Sequence, residues 1–186
     1  MPKSENKINS MDYRAVMGLW PTGVSVVSGL DTEGEHLGMV IGSFTSVSIE
    51  PALVAFCPQK SSVTWQKMKE NKNLCINFLS DRQSDICWKF ASGELYGRFE
   101  SLDYTKNSND IAEIPDCSAW LDVTIDNIVD GGDHDIVVCR INALRKGSIN
   151  LPMAFSKGQL CSTQPITNLP IDHLDQWEQS IHSIYQ

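Results

Sequence analysis

Apolar residues in this chain recur mostly at every second position, in short runs punctuated by Gly, Pro, Asn and Asp. That spacing predicts strands joined by tight turns. Residues 23–29 (GVSVVSG) alternate and are β-branched, and residues 31–35 (DTEGE) supply a hairpin loop after them. Between His36 and Cys57, the apolar runs 39–41 and 53–57 flank a small-residue segment, 42–48 (GSFTSVS), and Glu50-Pro51 interrupts before Ala52. Residues 73–79 (NLCINFL) read as a buried strand. Residues 120–129 alternate, with Leu121, Val123 and Ile125 on one side and Asp122, Thr124 and Asp126 on the other. Residues 130–133 (DGGD) make a tight turn. Residues 136–141 return as a nearly continuous apolar strand, the pattern of one covered on both faces. Residues 152–155 form a last short strand, ended by Ser156-Lys157-Gly158.

A helical period is superimposed at four places. A short helix capped by Ser10 or Asp12 carries Val16, Met17 and Trp20 on one face and stops at Pro21-Thr22-Gly23. A second starts after Ser61-Ser62, with Trp65 and Met68 one turn apart. A third opens at a Ser80-x-x-Gln83 capping box and turns Ile86, Cys87, Phe90 and Ala91 inward. A last amphipathic helix, capped by Asp172, carries Leu174, Trp177, Ile181 and Ile184. Residues 102–115 read as a polar loop, and residues 1–10 as a loose N-terminus. Roughly seven or eight strands at hairpin spacing predict a mainly β fold, a closed antiparallel barrel with peripheral helices. Residues 11–186 are expected to form one domain.

The totals narrow the function classes. At 186 residues and 41% apolar, the chain suits one soluble globular domain. A net charge of −8 with no basic run argues against a nucleic-acid surface. No apolar stretch approaches a membrane span, and residues 1–13 lack a signal-peptide core, so a cytoplasmic location is expected. The six cysteines show no C-x-x-C pair and the four histidines no ligand spacing, so no metal is expected.

Two places carry candidate chemistry. Residues 58–62 (PQKSS) follow a strand and precede a helix, so Lys60, Ser61 and Ser62 could cradle a phosphate with free backbone N–H groups, or Ser61 or Ser62 could simply cap the helix. His134 follows the Gly-Gly-Asp turn at the head of a strand. It is the candidate catalytic side chain, as donor, base or stacking surface; the alternative is a plain hairpin histidine. Asp133 could orient its ring. Cys57 is either a strand-end nucleophile or, with no partner His in sight, a structural thiol.

Several segments in order then resemble a known family. They are PTGVSVVSG from Pro21, Gly38-Met39 leading to SFTSVS and Pro51, the strand ending at Cys57 with Ser61, Ser62 and Thr64, the INFL strand, Phe90-Ala91, Gly132-Asp133-His134, and PMAFSKG from Pro152. Across residues 11–160 the chain resembles the flavin reductase-like domain family with its FMN-binding split barrel, as in the short-chain reductases of two-component monooxygenases. The resemblance implies a homodimer that passes a hydride from NADH or NADPH to FMN or FAD and supplies reduced flavin to an oxygenase partner. It implies flavin binding by Met39, Val40, Ile41, Gly42, Ser43, Thr45, Ser46 and Ser48. It puts the flavin phosphate on Lys60, Ser61, Ser62 and Thr64, and the nicotinamide on His134 and the turn of Phe155, Ser156 and Gly158. Where relatives usually carry a small polar run such as Thr-Ala-Ser, this chain has Val40-Ile41-Gly42, which leaves backbone N–H groups to serve the flavin edge. Two other activities fit the same residues: a flavoprotein that keeps its flavin and acts on an organic substrate, and a non-catalytic flavin-binding or electron-transfer module.

Overall fold

The computed structural model describes residues 8–92, 94–147 and 150–164. The elements follow in the order α1 (Ser10–Met17), β1 (Thr22–Gly23), β2 (Ser25–Leu30), β3 (His36–Ile41), β4 (Thr45–Ser48), β5 (Leu53–Phe56), α2 (Val63–Met68), β6 (Asn73–Phe78), α3 (Ser84–Ser92), β7 (Thr105–Lys106), β8 (Ala112–Glu113), β9 (Ala119–Gly131), β10 (His134–Lys146), β11 (Met153–Ser156) and β12 (Gln159–Ser162). Seven strands make one sheet in the order β3-β2-β6-β9-β10-β5-β4, with every pairing antiparallel. The expected closure is absent as a ladder: β3 and β4 end the order and do not pair with each other.

Two cores explain the arrangement. The first joins Val27, Leu37, Ile41, Val54, Phe56, Leu74, Ile76, Leu121, Val123 and Val137 from six strands with Trp65 and Met68 of α2. Phe56 and Trp65 meet edge to face at 5.8 Å, and neither is exposed. The second packs α3, through Cys87 and Phe90, against Val24, Val26, Leu79, Ala112, Ile114 and Met153. Phe90 reaches β3 because position 38 has no side chain; a Cβ there would lie 2.5 Å from the Phe90 ring. Val26 and Val27, neighbours on β2, therefore enter different cores. The strands covered on both faces include β2, β5 and β6.

Several expectations need correction on this basis. β10 alternates: Asp135, Val137 and Cys139 point inward, while Ile136 stays 38% exposed. Residues 23–29 split into β1 and β2, because Val24 pairs its N–H with the Met153 carbonyl of β11. The cap of α1 is Asn9, whose Oδ1 accepts from the Met11 N–H, and no α1 residue is buried. Ser80 and Gln83 do contact, the Ser80 N–H donating to Gln83 Oε1, but α3 begins only at Ser84. The expected polar loop at 102–115 holds β7 and β8 and buries Ile111, Ala112 and Ile114. The final strand continues through a turn at Lys157-Gly158 into β12. The helix expected around Leu174, Trp177, Ile181 and Ile184 lies outside the described residues.

One polar group inside the barrel wall is compensated. Buried Asp122 accepts from Arg145 at 3.0 Å and from the Asn107 amide at 2.7 Å, and Arg145 also pairs with Glu113. Burial nevertheless holds the Glu113 carboxyl above its usual range.

Candidate functional site

Where β3 and β5 leave the sheet, they wall a cavity of about 540 Å³. Met39, Val40, Ile41, Gly42 and Ser43 line it from the β3 exit, Cys57 and Gln59 from the β5 exit, Ser62 and Thr64 from the start of α2, and Phe90 and Ala91 from α3. Arg98 and His134 complete the lining. No carboxylate lines it among the described residues, so its electrostatics favour an anion.

Local chemistry fixes the polar part. Ser62 is the N-cap of α2, and its hydroxyl accepts the Trp65 N–H at 3.3 Å. Two residues on, Thr64 is buried, and its Oγ1 accepts from Arg98 at 3.1 Å. Arg98 also donates to the Gly38 carbonyl at 2.7 Å. These contacts hold a half-buried guanidinium against the cavity; burial draws its pKa below the ordinary arginine value. Thr64 keeps its own O–H to give.

The His134 side is built by a short ladder between residues 58–60 and the head of β10. The Asp135 N–H donates to the Pro58 carbonyl and the Lys60 N–H to the Asp133 carbonyl, both at 3.0 Å, with Gln59 and His134 as the bridging pair. Buried Asp135 accepts the Trp65 indole N–H at 2.8 Å, tying β10 to α2. His134 Nδ1 lies 2.7 Å from Asp133 Oδ1, and this contact lowers the Asp133 pKa. Lys60 Nζ is paired with Asp130 and donates to the Gly132 carbonyl at 2.8 Å. The hydrogen bond between the Lys60 ammonium and the Asp130 carboxylate raises the Lys60 pKa and lowers that of Asp130.

Of the residues expected to bind cofactor, Met39, Val40, Ile41, Gly42, Ser43, Ser62, Thr64 and His134 share this cavity. Thr45, Ser46 and Ser48 lie on β4 at the sheet edge, outside the lining, with Thr45 and Ser46 exposed. Lys60 and Ser61 flank the cavity without lining it; the lysine reaches the β9–β10 turn instead. Phe155, Ser156 and Gly158 sit on the β11–β12 hairpin, which pairs with β1. The aliphatic departure at 40–41 also has a structural role: Ile41 is buried in the first core and Val40 packs on the second. The sequence assigns no binding role to Gln59, Phe90, Ala91 or Arg98; Phe90 and Ala91 read only as the inner face of α3. Phe90-Ala91 stood among the matching segments, but a single arginine in YGRF carries no local signal.

A family model described as "Flavin reductase like domain" matches residues 17–164. A flavin reductase from Pseudomonas putida is 39% identical over 146 residues, covering 78% of this chain and 85% of that one. The flavin-dependent monooxygenase reductase subunit HsaB of Rhodococcus jostii is 29% identical over 92% of this chain and 87% of its own. Among solved structures, the Streptomyces globisporus NADH:FAD oxidoreductase SgcE6, in complex with NAD and FAD fragments, superposes with a TM-score of 0.79 at 28% identity, covering 86% of this chain and 96% of that one. With the antiparallel split barrel, the cavity at its strand exits and this family match, the chain belongs to the flavin reductase-like domain family.

Proposed function

We propose that this protein is an NAD(P)H:flavin oxidoreductase that moves a hydride from reduced nicotinamide to FMN or FAD and releases reduced flavin to a monooxygenase component. The observation that carries this reading is the joining, in one carboxylate-free cavity, of an anion-binding set (Arg98, Ser62, Thr64) and the imidazole of His134. A guanidinium with two hydroxyls fits a flavin phosphate by charge and by donor count. The lining from Met39 to Ser43 fits the ring system. When bound, the two cofactors supply the hydride donor and acceptor chemistry. The protein's work is orientation: Arg98, Ser62 and Thr64 fix the phosphate end, Phe90 and Ala91 shield one wall from water, and His134 hydrogen-bonds the nicotinamide carboxamide or ribose. Relatives named as reductase subunits of flavin-dependent monooxygenases support the oxygenase partner.

The same reading takes residues 11–186 as one domain and the working form as a homodimer in the cytoplasm. Val129 and Ile136, directly paired across the β9–β10 hairpin, leave an apolar patch, each at least 38% exposed, and a second copy would cover it. All six cysteines are free thiols, and among the described residues no helix is long and apolar enough to cross a membrane. Sedimentation should show a dimer at micromolar concentration; a stable monomer would remove that part.

The test of the site is His134→Ala with flavin and nicotinamide titrated separately. A positioning role predicts a raised nicotinamide KM with little loss of kcat. Wild-type values for both would leave His134 an ordinary strand-end histidine.

A further inference from the structure

The residues that present His134 are held by a lysine 74 positions earlier in the chain. We infer that Lys60 is a positioning residue for His134: by clamping the β9–β10 turn onto the strand exit after β5, it sets the imidazole against the cavity. The inference rests on the flavin reductase reading only for the consequence of that placement; the clamp itself is a matter of structure.

Three observations converge. The Lys60 ammonium holds two points of one turn, the Asp130 carboxylate and, at 2.8 Å, the Gly132 carbonyl. The Lys60 backbone holds a third, its N–H donating to the Asp133 carbonyl at 3.0 Å. Its own carbonyl accepts the Gln66 side-chain amide of α2 at 2.8 Å, so the clamp is anchored to a helix that is itself locked into the first core by Trp65 and Met68. The turn needs such a tie. It contains only Gly132, at φ +84°, and the exposed Asp133 between β9 and β10, and the His134 side chain is still 41% exposed. An exposed ion pair alone would contribute little. Here the same ammonium also engages a backbone carbonyl of the turn, so losing it frees the backbone next to His134.

Occupancy of the binding-competent turn scales the apparent nicotinamide affinity, because KM rises as the competent fraction falls. Lys60→Met, which keeps the stem and removes the charge, should raise the nicotinamide KM roughly three- to tenfold. The kcat and the affinities for FMN and riboflavin should stay within about twofold. Lys60→Arg should restore most of the KM. In a His134→Ala background, Lys60→Met should add nothing, since the two act through one contact.

Amide exchange reads the clamp without any catalysis. The Asp135 N–H, which donates to the Pro58 carbonyl, should exchange about three- to tenfold faster in Lys60→Met while the core strands are unchanged. Unchanged exchange at Asp135 would overturn the clamp. Faster exchange with an unchanged nicotinamide KM would overturn its role in placing His134, as would additivity with His134→Ala. Weaker FMN binding with intact riboflavin binding would make Lys60 a phosphate contact instead. If wild-type protein oxidised no nicotinamide with any flavin, the reductase reading would fail, and Asp135 exchange would still decide the clamp.

Discussion

Ser43 and Cys57 join the two strand exits that wall the cavity: the Cys57 N–H donates to Ser43 Oγ at 2.8 Å, and that hydroxyl donates to the Cys57 carbonyl at 3.2 Å. Thr45 pairs with Ala55 across β4 and β5, so this contact carries that pairing two residues further, to the exit of β3. Ser43→Ala removes both bonds, and at a typical net value near 1 kcal/mol each it should cost about 1–2 kcal/mol of stability. The cavity walls should loosen with it, weakening FMN and riboflavin equally. Urea unfolding and fluorescence titration check both; a selective loss of FMN would mean that Ser43 touches the phosphate.

Arg98 is the cation on the cavity wall, through Thr64 and the Gly38 carbonyl. Arg98→Ala should weaken FMN by roughly tenfold or more, at about 1.5–3 kcal/mol for a charge-assisted contact, and riboflavin, which has no phosphate, much less. Arg98→Lys should recover only part, since an ammonium cannot serve two acceptors and a phosphate in one plane. Equal losses for FMN and riboflavin would show that Arg98 acts by bracing α2 against β3.

Much of the fold could be read from the chain because the relevant signals are local. The alternation through Leu121 and Val123 marks β9, and the residues 31–35 turn marks the β2–β3 hairpin. The misreadings occur where distant groups decide. An apolar run at 136–141 looks like a buried strand, yet what covers a strand is set by which elements stack on it, and α3 packs over β2 and β3. The cavity strand β3 was legible by its Gly-Ser exit. Arg98 was not, since its place depends on α3 delivering its loop to Thr64. Lys60 has the strand–Lys-Ser-Ser–helix context of a phosphate ligand, but a carboxylate 70 residues away claims its ammonium.

Two glycines should fail for different reasons. Gly38→Ala puts a methyl group 2.5 Å from the Phe90 ring, so overpacking should cost about 1–3 kcal/mol. Gly132→Ala meets no atom within 4 Å, and at φ +84° its cost is backbone strain alone, about 1 kcal/mol. Denaturant midpoints of both variants separate the two; Gly132→Ala costing more than Gly38→Ala would reverse the packing argument.

Acid should loosen the β2–β3 hairpin through Asp31. Burial alone would raise its pKa, but the Glu35 and Glu33 N–H groups at 3.0 and 2.9 Å and the Tyr96 hydroxyl outweigh it and hold the carboxyl below its ordinary value. A depressed carboxylate contributes stability above its unfolded pKa and loses it as pH falls through the folded value. Asp31→Asn should therefore be less stable than wild type at neutral pH, with the gap narrowing as pH falls below the ordinary aspartate value and through the lower folded one. A gap that widens in acid would contradict the sign.

In the proposed reaction flavin is turned over rather than kept. Nicotinamide oxidation should be followed with purified protein and a large excess of added FMN, FAD or riboflavin under anaerobic conditions. Turnover of free flavin predicts oxidation that depends on added flavin and continues until many flavins per protein are reduced and released. Oxidation that stops at one flavin per protein, or none with either NADH or NADPH, would contradict it.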